Sequence, residues 1–265
     1  MLPFLTKRVT NRLVARTFTR FRSQPGWANH LPDDPRTFHV GASARASNFQ
    51  RAFARLETWG GWSTSHLCIM EVVKELRITG PCRYLEIGVN EGLSVYALVT
   101  SLRLQRLLRQ PQRLSEPLFD ELVLADNWSA VCGGTGRGSN EHILRLLQNL
   151  NVGSNHMTFL DGDSKATVPE YLRGRRAPLA FDLTYVDGDH SYAGALRDLE
   201  NVLPHVGSVL FFDDMYHPSH CVADRLLEVH IAMVERLRHE FYAFLNRQWF
   251  GFAAFVRKTV FDALA

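Results

Sequence analysis

Short apolar segments alternate with longer amphipathic segments along most of the chain, and this alternation limits the possible folds more than any other feature. The apolar segments are predicted to be strands, with helices between them and after the fifth. The last of these helices is long and covers 222–240. The chain then ends in a predicted hairpin. Regular alternation of strand and helix predicts a parallel sheet covered by helices on both faces. The predicted parallel strands are 83–88, 122–125, 156–160, 181–186 and 208–212, and the hairpin strands are 241–245 and 250–257.

The first 48 residues differ from the rest and are predicted to be a basic helix and a linker, with the main domain at 49–265. Met1 to Pro32 contain no acidic residue, and the arginines at 8, 12, 16 and 20 form one stripe on a helix. This pattern is typical of organellar transit peptides, of helices that contact anionic lipid, and of arms that pack on a partner or on the protein itself. The sequence leaves these alternatives open.

Charge and cysteine content exclude several classes of protein. The net charge of +3 does not indicate a nucleic-acid-binding protein, and no apolar run has the roughly 20 residues of a membrane span. Cys68, Cys82, Cys132 and Cys221 form neither a CxxC pair nor a zinc motif. We therefore expect free thiols in a reducing compartment and a cytoplasmic protein, with an organelle as the alternative if the first 30 residues are a transit peptide. The sequence leaves open whether the chain forms a homo-oligomer.

The segment Tyr84–Ser94 contains the strongest binding signal, because an apolar strand ends at Glu86, turns at Gly88 and opens a helix at Gly92. Ligands of open α/β sheets bind at the carboxyl ends of strands. The glycines are four residues apart, which departs from the GxGxxG of dinucleotide sites, and Glu86 would repel a phosphate. A ligand with an ammonium group suits this turn better, and S-adenosylmethionine (SAM) has one.

Acidic residues also follow the other predicted strands. Asp126 follows the second strand, where a carboxylate can hold ribose hydroxyls. Asp187 follows the fourth strand, and Asp213 and Asp214 follow the fifth, so these three carboxylates should meet at one rim. Unneutralised, they would raise one another's pKa values, and Mg²⁺ prefers such oxygen ligands. The sequence therefore predicts a Mg²⁺ site here, with an ordinary solvated rim as the alternative.

The motif V-D-G-D-H-S-Y followed by F-F-D-D resembles class I SAM-dependent methyltransferases, in particular the sugar O-methyltransferases of macrolide and aminocoumarin biosynthesis. It is similar, more distantly, to caffeoyl-CoA and catechol O-methyltransferases. The resemblance covers residues 59–258. It implies a Rossmann-like α/β fold with a seven-stranded sheet in the order 3-2-1-4-5-7-6, its last strand pair antiparallel.

The resemblance also implies roles for individual residues. Asp163 and Ser164 would contact the adenine, and Ser94 and Asp187 would complete the cofactor site. Asp187, Asp213 and Asp214 would hold Mg²⁺. The base of the sugar-methylating enzymes falls on Asp189, whereas His190 stands where the caffeoyl-CoA type has a lysine, so the sequence leaves Asp189 and His190 both as candidate bases.

We therefore expect a SAM-dependent enzyme that methylates a hydroxyl of a small molecule. One alternative is an RNA or protein methyltransferase that grips its substrate with the basic arm, and another is a non-catalytic cofactor-binding protein. Two further segments are expected near the cavity, a lid at 60–66 and a cover at 133–138, while His217 and His220 either shape the acceptor pocket or are solvated loop residues.

Overall fold

The computed structural model describes residues 43–57, 63–129, 136–174, 180–215, 223–248 and 250–264. The predicted basic helix lies outside the described residues. The first described helix, α1 (Ala44–Phe53), begins after Ser43, whose side chain caps it. The predicted domain boundary at residue 48 therefore falls inside this helix. The buried rings of Phe49 and Phe53 anchor α1 to the rest of the domain.

Seven strands form one sheet in the order β3-β2-β1-β4-β5-β7-β6, which confirms the predicted fold class. The first five strands are parallel, and β7 is antiparallel to both β5 and β6. The strands are β1 Cys82–Ile87, β2 Phe119–Asp126, β3 Met157–Asp161, β4 Phe181–Val186, β5 Val206–Phe212, β6 Phe241–Asn246 and β7 Phe252–Arg257. The remaining helices are α2 Thr64–Glu75, α3 Leu93–Arg109, α4 Asn140–Asn149, α5 Ser164–Arg173, α6 Tyr192–Val202, α7 Ala223–Leu237 and α8 Lys258–Asp262.

Most predicted elements lie within a few residues of the observed ones, and the larger differences have local causes. Helix α5 begins at Ser164, because the Asp163 side chain caps it by accepting a hydrogen bond from the amide of Lys165. Helix α8 was not predicted. It holds Phe261 in the core, where Arg45 of α1 stacks on its ring.

Helices cover both faces of the sheet, as the alternation of strand and helix predicted. Helices α1, α2, α3, α4 and α8 pack on one face, and α5, α6 and α7 pack on the other. Successive side chains of a strand point to opposite faces, so Tyr84 of β1 joins the first core and Leu85 the second. None of the described helices combines the length and apolar character that a membrane span requires.

The carboxyl ends of the parallel strands lie together at one edge, where Gly88 lets the ends of β1 and β4 approach each other closely. Its φ is +86°, and a Cβ atom there would lie 1.9 Å from the carbonyl oxygen of Asp187. Only glycine fits such a contact without moving the backbone. This close approach brings the turn after β1 beside the acidic residues that follow β4.

Candidate active site

A cavity of about 370 Å³ opens at this edge of the sheet, a volume within the range of small-molecule sites. The turns after β1 to β5 all contribute to its wall. Eight of the predicted site residues line it: Gly88, Asp126, Asp163, Ser164, Asp187, Asp189, His190 and Asp214. Four do not: Glu86, Gly92, Ser94 and Asp213.

Glu86 lies below the cavity and is completely buried. Its carboxylate accepts hydrogen bonds from the hydroxyls of Tyr84, at 2.8 Å, and Ser94. Burial outweighs these bonds and raises the pKa of Glu86 to about 8. The side chain is therefore mostly neutral at pH 7, so it lacks the charge on which the predicted contact with a ligand's ammonium group depended. Glu86 and Ser94 act here as a buried support for the turn after β1.

Gly92 serves packing between helices in this structure. It has a φ of +78° at the start of α3, and a Cβ atom there would lie 2.6 Å from the Cδ1 of Ile143 in α4. The sequence placed Gly92 in the cofactor site, and that role stays a prediction; the close neighbour in this structure is helix α4.

The turns after β2 and β3 form the side of the cavity predicted to hold the nucleoside. Asp126 accepts hydrogen bonds from the backbone amides of Asn90, at 2.7 Å, and Trp128, at 2.6 Å, so it joins the turns after β1 and β2. The hydroxyl of Ser164 donates to the buried carboxylate of Asp198, at 2.7 Å. Burial raises the pKa of Asp198 to about 6. These contacts fix the backbone on this side of the cavity.

Three side chains meet at the opposite side of the cavity, and we call them the Asp-His-Asp cluster: Asp187, His190 and Asp214. The Nε2 atom of His190 lies 3.3 Å from Oδ1 of Asp187 and 3.9 Å from Oδ2 of Asp214. One potential ligand atom from each residue lies within 4.8 Å of the others. Burial raises the pKa values of the Asp187 and Asp214 carboxyls, and neighbouring carboxylates raise them further: Asp213 acts on Asp187, and both Asp187 and Asp213 act on Asp214.

Asp213 is not brought into this cluster, although the sequence predicted it as a third carboxylate ligand. Its Oδ2 accepts a hydrogen bond from Tyr185 at 2.5 Å, and its Oδ1 accepts one from Ser65 at 3.0 Å. His190 lies beside Asp187 and Asp214, and metal binding at this point stays a prediction. The sequence showed a histidine three residues after Asp187, but it did not show that the side chain of this histidine faces both carboxylates.

Asp189 lies on the cavity wall in an ion pair with Lys165, whose Nζ is 2.7 Å from its Oδ2. Although burial acts to raise its pKa, the hydrogen bonds from Lys165 and from the amide of Ser191 outweigh burial and lower the pKa of Asp189. A weakly basic, paired carboxylate is poorly suited to take a proton. Lys165 was not predicted as a site residue, because its pairing with Asp189 joins turns 24 residues apart.

Parts of the predicted surroundings of the cavity lie outside the described residues. These are His217, His220, residues 133–135 of the cover and residues 60–62 of the lid. A second cavity of about 620 Å³ is larger, but it lies at the amino ends of β2 and β3, away from the cluster. Its lining includes Leu104, Leu107 and Leu114, and no predicted site residue.

Comparison with known proteins agrees with this geometry. Residues 85–215, which span the strands and turns around the cavity, match a family profile described as "Methyltransferase domain". The chain contains a methyltransferase domain with the fold of the class I enzymes. The methyltransferase has no match among curated protein sequences.

Solved structures with a similar fold include three described as O-methyltransferases. TomG from Streptomyces achromogenes, an O-methyltransferase of tomaymycin synthesis in complex with SAM, is 16% identical over 87% of this chain and 92% of that chain, with a TM-score of 0.50. CalS11, a TDP-rhamnose 3'-O-methyltransferase, is 19% identical over 85% and 99%, with a TM-score of 0.47. NovP, an O-methyltransferase, is 16% identical over 78% and 88%, with a TM-score of 0.49. At these identities the likeness is one of fold.

Proposed function

We propose that this methyltransferase transfers the methyl group of SAM to a hydroxyl oxygen of a small molecule. The observation that carries the proposal is the Asp-His-Asp cluster, which shares one cavity with the turns after β1, β2 and β3. A hydroxyl must lose its proton to become methylated, and the cluster offers groups that accept one. TomG, similar in fold and described as an O-methyltransferase, supports oxygen as the acceptor atom.

The turns around the cavity suit the two ends of SAM. Asp126 and Asp163, at the ends of β2 and β3, would face the ribose and adenine, and Gly88 would let the methionine part approach the backbone. This placement leaves the sulfonium beside Asp187 and His190. A methyl group held in line with an incoming oxygen needs little further activation, because effective concentration alone supplies several kcal/mol.

His190 is the group that we propose takes the proton, at its Nε2 atom. The hydroxyl proton moves to Nε2 as the oxygen attacks the methyl carbon, and the carbon–sulfur bond breaks to give S-adenosylhomocysteine. The imidazolium formed in this step lies between the carboxylates of Asp187 and Asp214, which stabilise its charge. Asp189 is less suited to this role because Lys165 already pairs with it.

The same cluster is also chemically suited to a divalent metal ion, since two carboxylates and an imidazole converge on one point. Asp187, Asp214 and His190 would hold the ion. Such an ion would lower the pKa of the acceptor hydroxyl and neutralise the two carboxylates. Burial and the repulsion of neighbouring carboxylates, Asp213 among them, hold the pKa values of those carboxyls high, which is the electrostatic cost that an ion would remove.

We further propose that the acceptor is not a nucleic acid and that the protein works in the cytoplasm. The carboxylates on the cavity wall would repel a phosphate backbone. Cys68 and Cys82, the described cysteines, are buried free thiols, which fits a reducing compartment. Purified protein incubated with RNA and radiolabelled SAM should transfer no label to the RNA. Labelled RNA would favour the alternative in which the basic arm grips the substrate.

The main experiment measures release of S-adenosylhomocysteine with a panel of sugars, phenols and catechols. We expect turnover with a hydroxyl acceptor, loss of turnover by about 100-fold or more in His190→Gln, and a much smaller loss in Asp189→Asn. Equal losses in both variants would contradict the choice of base. No turnover with any acceptor, despite SAM binding in calorimetry, would contradict the proposed function.

Excess chelator separates the two ways in which the cluster can work. If turnover survives EDTA, His190 and the carboxylates act without an ion. If turnover is lost and Mg²⁺ or Mn²⁺ restores it, the cluster holds a metal, and Asp214→Ala should then abolish the metal response while changing SAM affinity little.

A further inference from the structure

Asp213 is almost completely buried, yet the proposed reaction gives it no task. We propose that Asp213 is a positioning residue, which keeps the Asp214 carboxylate directed at His190 and ties the first turn of α2 to the Asp-His-Asp cluster. This inference rests on the proposed function, because it assigns Asp213 a part in the same reaction. It differs from the sequence-based expectation, in which Asp213 binds a metal ion directly.

The first support is the backbone of Asp214, which has a φ of +54°. This left-handed conformation is uncommon for residues other than glycine and costs on the order of 1 kcal/mol. The Oδ1 atom of Asp213 accepts a hydrogen bond from the amide of Asp214 at 2.9 Å. That bond holds the peptide in the orientation that places Oδ2 of Asp214 3.9 Å from Nε2 of His190.

The second support is that Asp213 is itself held on both sides. Tyr185 of β4 donates to Oδ2 at 2.5 Å, and Ser65 of α2 donates to Oδ1 at 3.0 Å. Both oxygens are therefore engaged by three donors in all. To bind a metal ion, the carboxylate would have to give up at least one of these bonds at a buried position, where an unsatisfied hydroxyl is costly.

The third support is the place of Ser65 in the chain. It lies in the first turn of α2, next to Ser63, whose side chain caps that helix. Ser65 and Asp213 are 148 residues apart, so their bond joins the start of α2 to the end of β5. A change in the position of α2 would therefore act on Asp214 through a single carboxylate.

The test is a double-mutant cycle on kcat with Ser65→Ala, Tyr185→Phe and Asp213→Ala, using the acceptor that the panel identifies. Ser65 and Tyr185 are not among the proposed metal ligands, so Ser65→Ala and Tyr185→Phe remove no ligand. We expect each of the first two variants to lower kcat about tenfold, the factor that corresponds to ~1.4 kcal/mol. The KM for SAM should stay within about twofold. In the Asp213→Ala background, neither Ser65→Ala nor Tyr185→Phe should lower kcat further.

Matched controls remove similar bonds far from the cluster. Tyr242→Phe, on β6, breaks a tyrosine–carboxylate contact with Asp262 of α8. Ser101→Ala removes a buried hydroxyl that donates to the carbonyl of Met70. Both should keep the wild-type kcat. Asp213→Asn, which keeps an acceptor oxygen for Ser65 and the Asp214 amide, should retain more activity than Asp213→Ala. If Asp213→Ala does not fold, Asp213→Leu, which has a similar shape and no acceptor oxygen, replaces it in the cycle.

Three results would overturn the inference. The first is a wild-type kcat in Ser65→Ala and Tyr185→Phe. The second is an undiminished effect of these changes when Asp213 is alanine. The third is tighter Mn²⁺ binding by Tyr185→Phe, because this would show that Asp213, once released from Tyr185, binds the ion directly. If the wild-type protein methylates nothing in the panel, the proposed function fails. The same cycle is then measured as free energies of unfolding in urea. If the effects of Ser65→Ala and Tyr185→Phe on stability do not depend on Asp213, the inference fails separately.

Discussion

Replacement of Glu86 by glutamine should change how the stability of the protein depends on pH. Glu86 is completely buried, and its pKa is raised from 4.5 to about 8, mainly by burial. Between these two pH values the folded protein holds a proton that the unfolded chain has lost. The free energy of unfolding of the wild-type protein must therefore fall as the pH rises through this window, and it should level off above pH 8.

The size of this effect follows from the shift. Each pH unit inside the window lowers the free energy of unfolding by ~1.4 kcal/mol, so the full shift from 4.5 to about 8 sets a ceiling of about 5 kcal/mol. Glutamine has the shape of the protonated acid and no charge to bury. It can still accept a hydrogen bond from Ser94, and the hydroxyl of Tyr84 can turn to accept one from its amide.

Urea unfolding of both proteins at pH 5.5, 6.5, 7.5 and 8.5 measures the effect. We expect the stability of Glu86→Gln, relative to wild type, to increase by about 1 kcal/mol or more per pH unit up to pH 7.5 and then to level off. The exposed Glu235→Gln serves as the control and should run parallel to wild type. If the unfolding free energies of Glu86→Gln and wild type also run parallel with pH, the argument that Glu86 is protonated in the folded protein is refuted.

Three further predictions follow from the turns and from the arm. Gly88→Ala should destabilise the fold by at least ~3 kcal/mol in urea unfolding, because its Cβ would overlap the carbonyl of Asp187, whereas Gly153→Ala, which has open space around it, should stay near wild type. Ser164→Ala should weaken SAM binding in calorimetry and cost ~1–3 kcal/mol of stability, since it removes a donor from buried Asp198; unchanged binding would contradict a role in the cofactor site. Deletion of residues 1–30 should leave SAM affinity within about twofold, and a large loss in a folded truncation would show that the arm contributes to the site.

The sequence predicted the order of elements because the periods of apolar residues reflect local backbone geometry. It also predicted which residues line the cavity wherever they directly follow a strand, as Asp126 and Asp187 do, because parallel strands end at one edge. It failed where a side chain's direction depends on a distant partner. Asp213 follows β5 as Asp187 follows β4, but its carboxylate accepts hydrogen bonds from Ser65 and Tyr185, and the sequence showed neither bond.

Glu86 illustrates a second limit of sequence reasoning. The residue type suggested a charge facing a ligand, whereas the structure buries the carboxyl below the turn and so favours its neutral form. Whether an acidic residue is ionised depends on the solvent around it, and burial is a property of the whole fold. The same holds for Asp189, whose ion pair with Lys165 requires that the turns after β3 and β4 first come together.

The position of β7 between β5 and β6 has a consequence for the synthesis of the chain. Once Asp214 has been translated, the chain contains all three residues of the Asp-His-Asp cluster. The edge of β5 that faces away from β4, however, has no strand to pair with until β7 has left the ribosome. Among the described strands, β6 pairs with β7 alone, so it cannot close that edge when it emerges. A nascent chain that stops before Phe252 would present the open edge of an apolar strand, which favours association with other chains. Completion of the sheet therefore depends on the last of its strands to be made, and the hairpin must add as a unit.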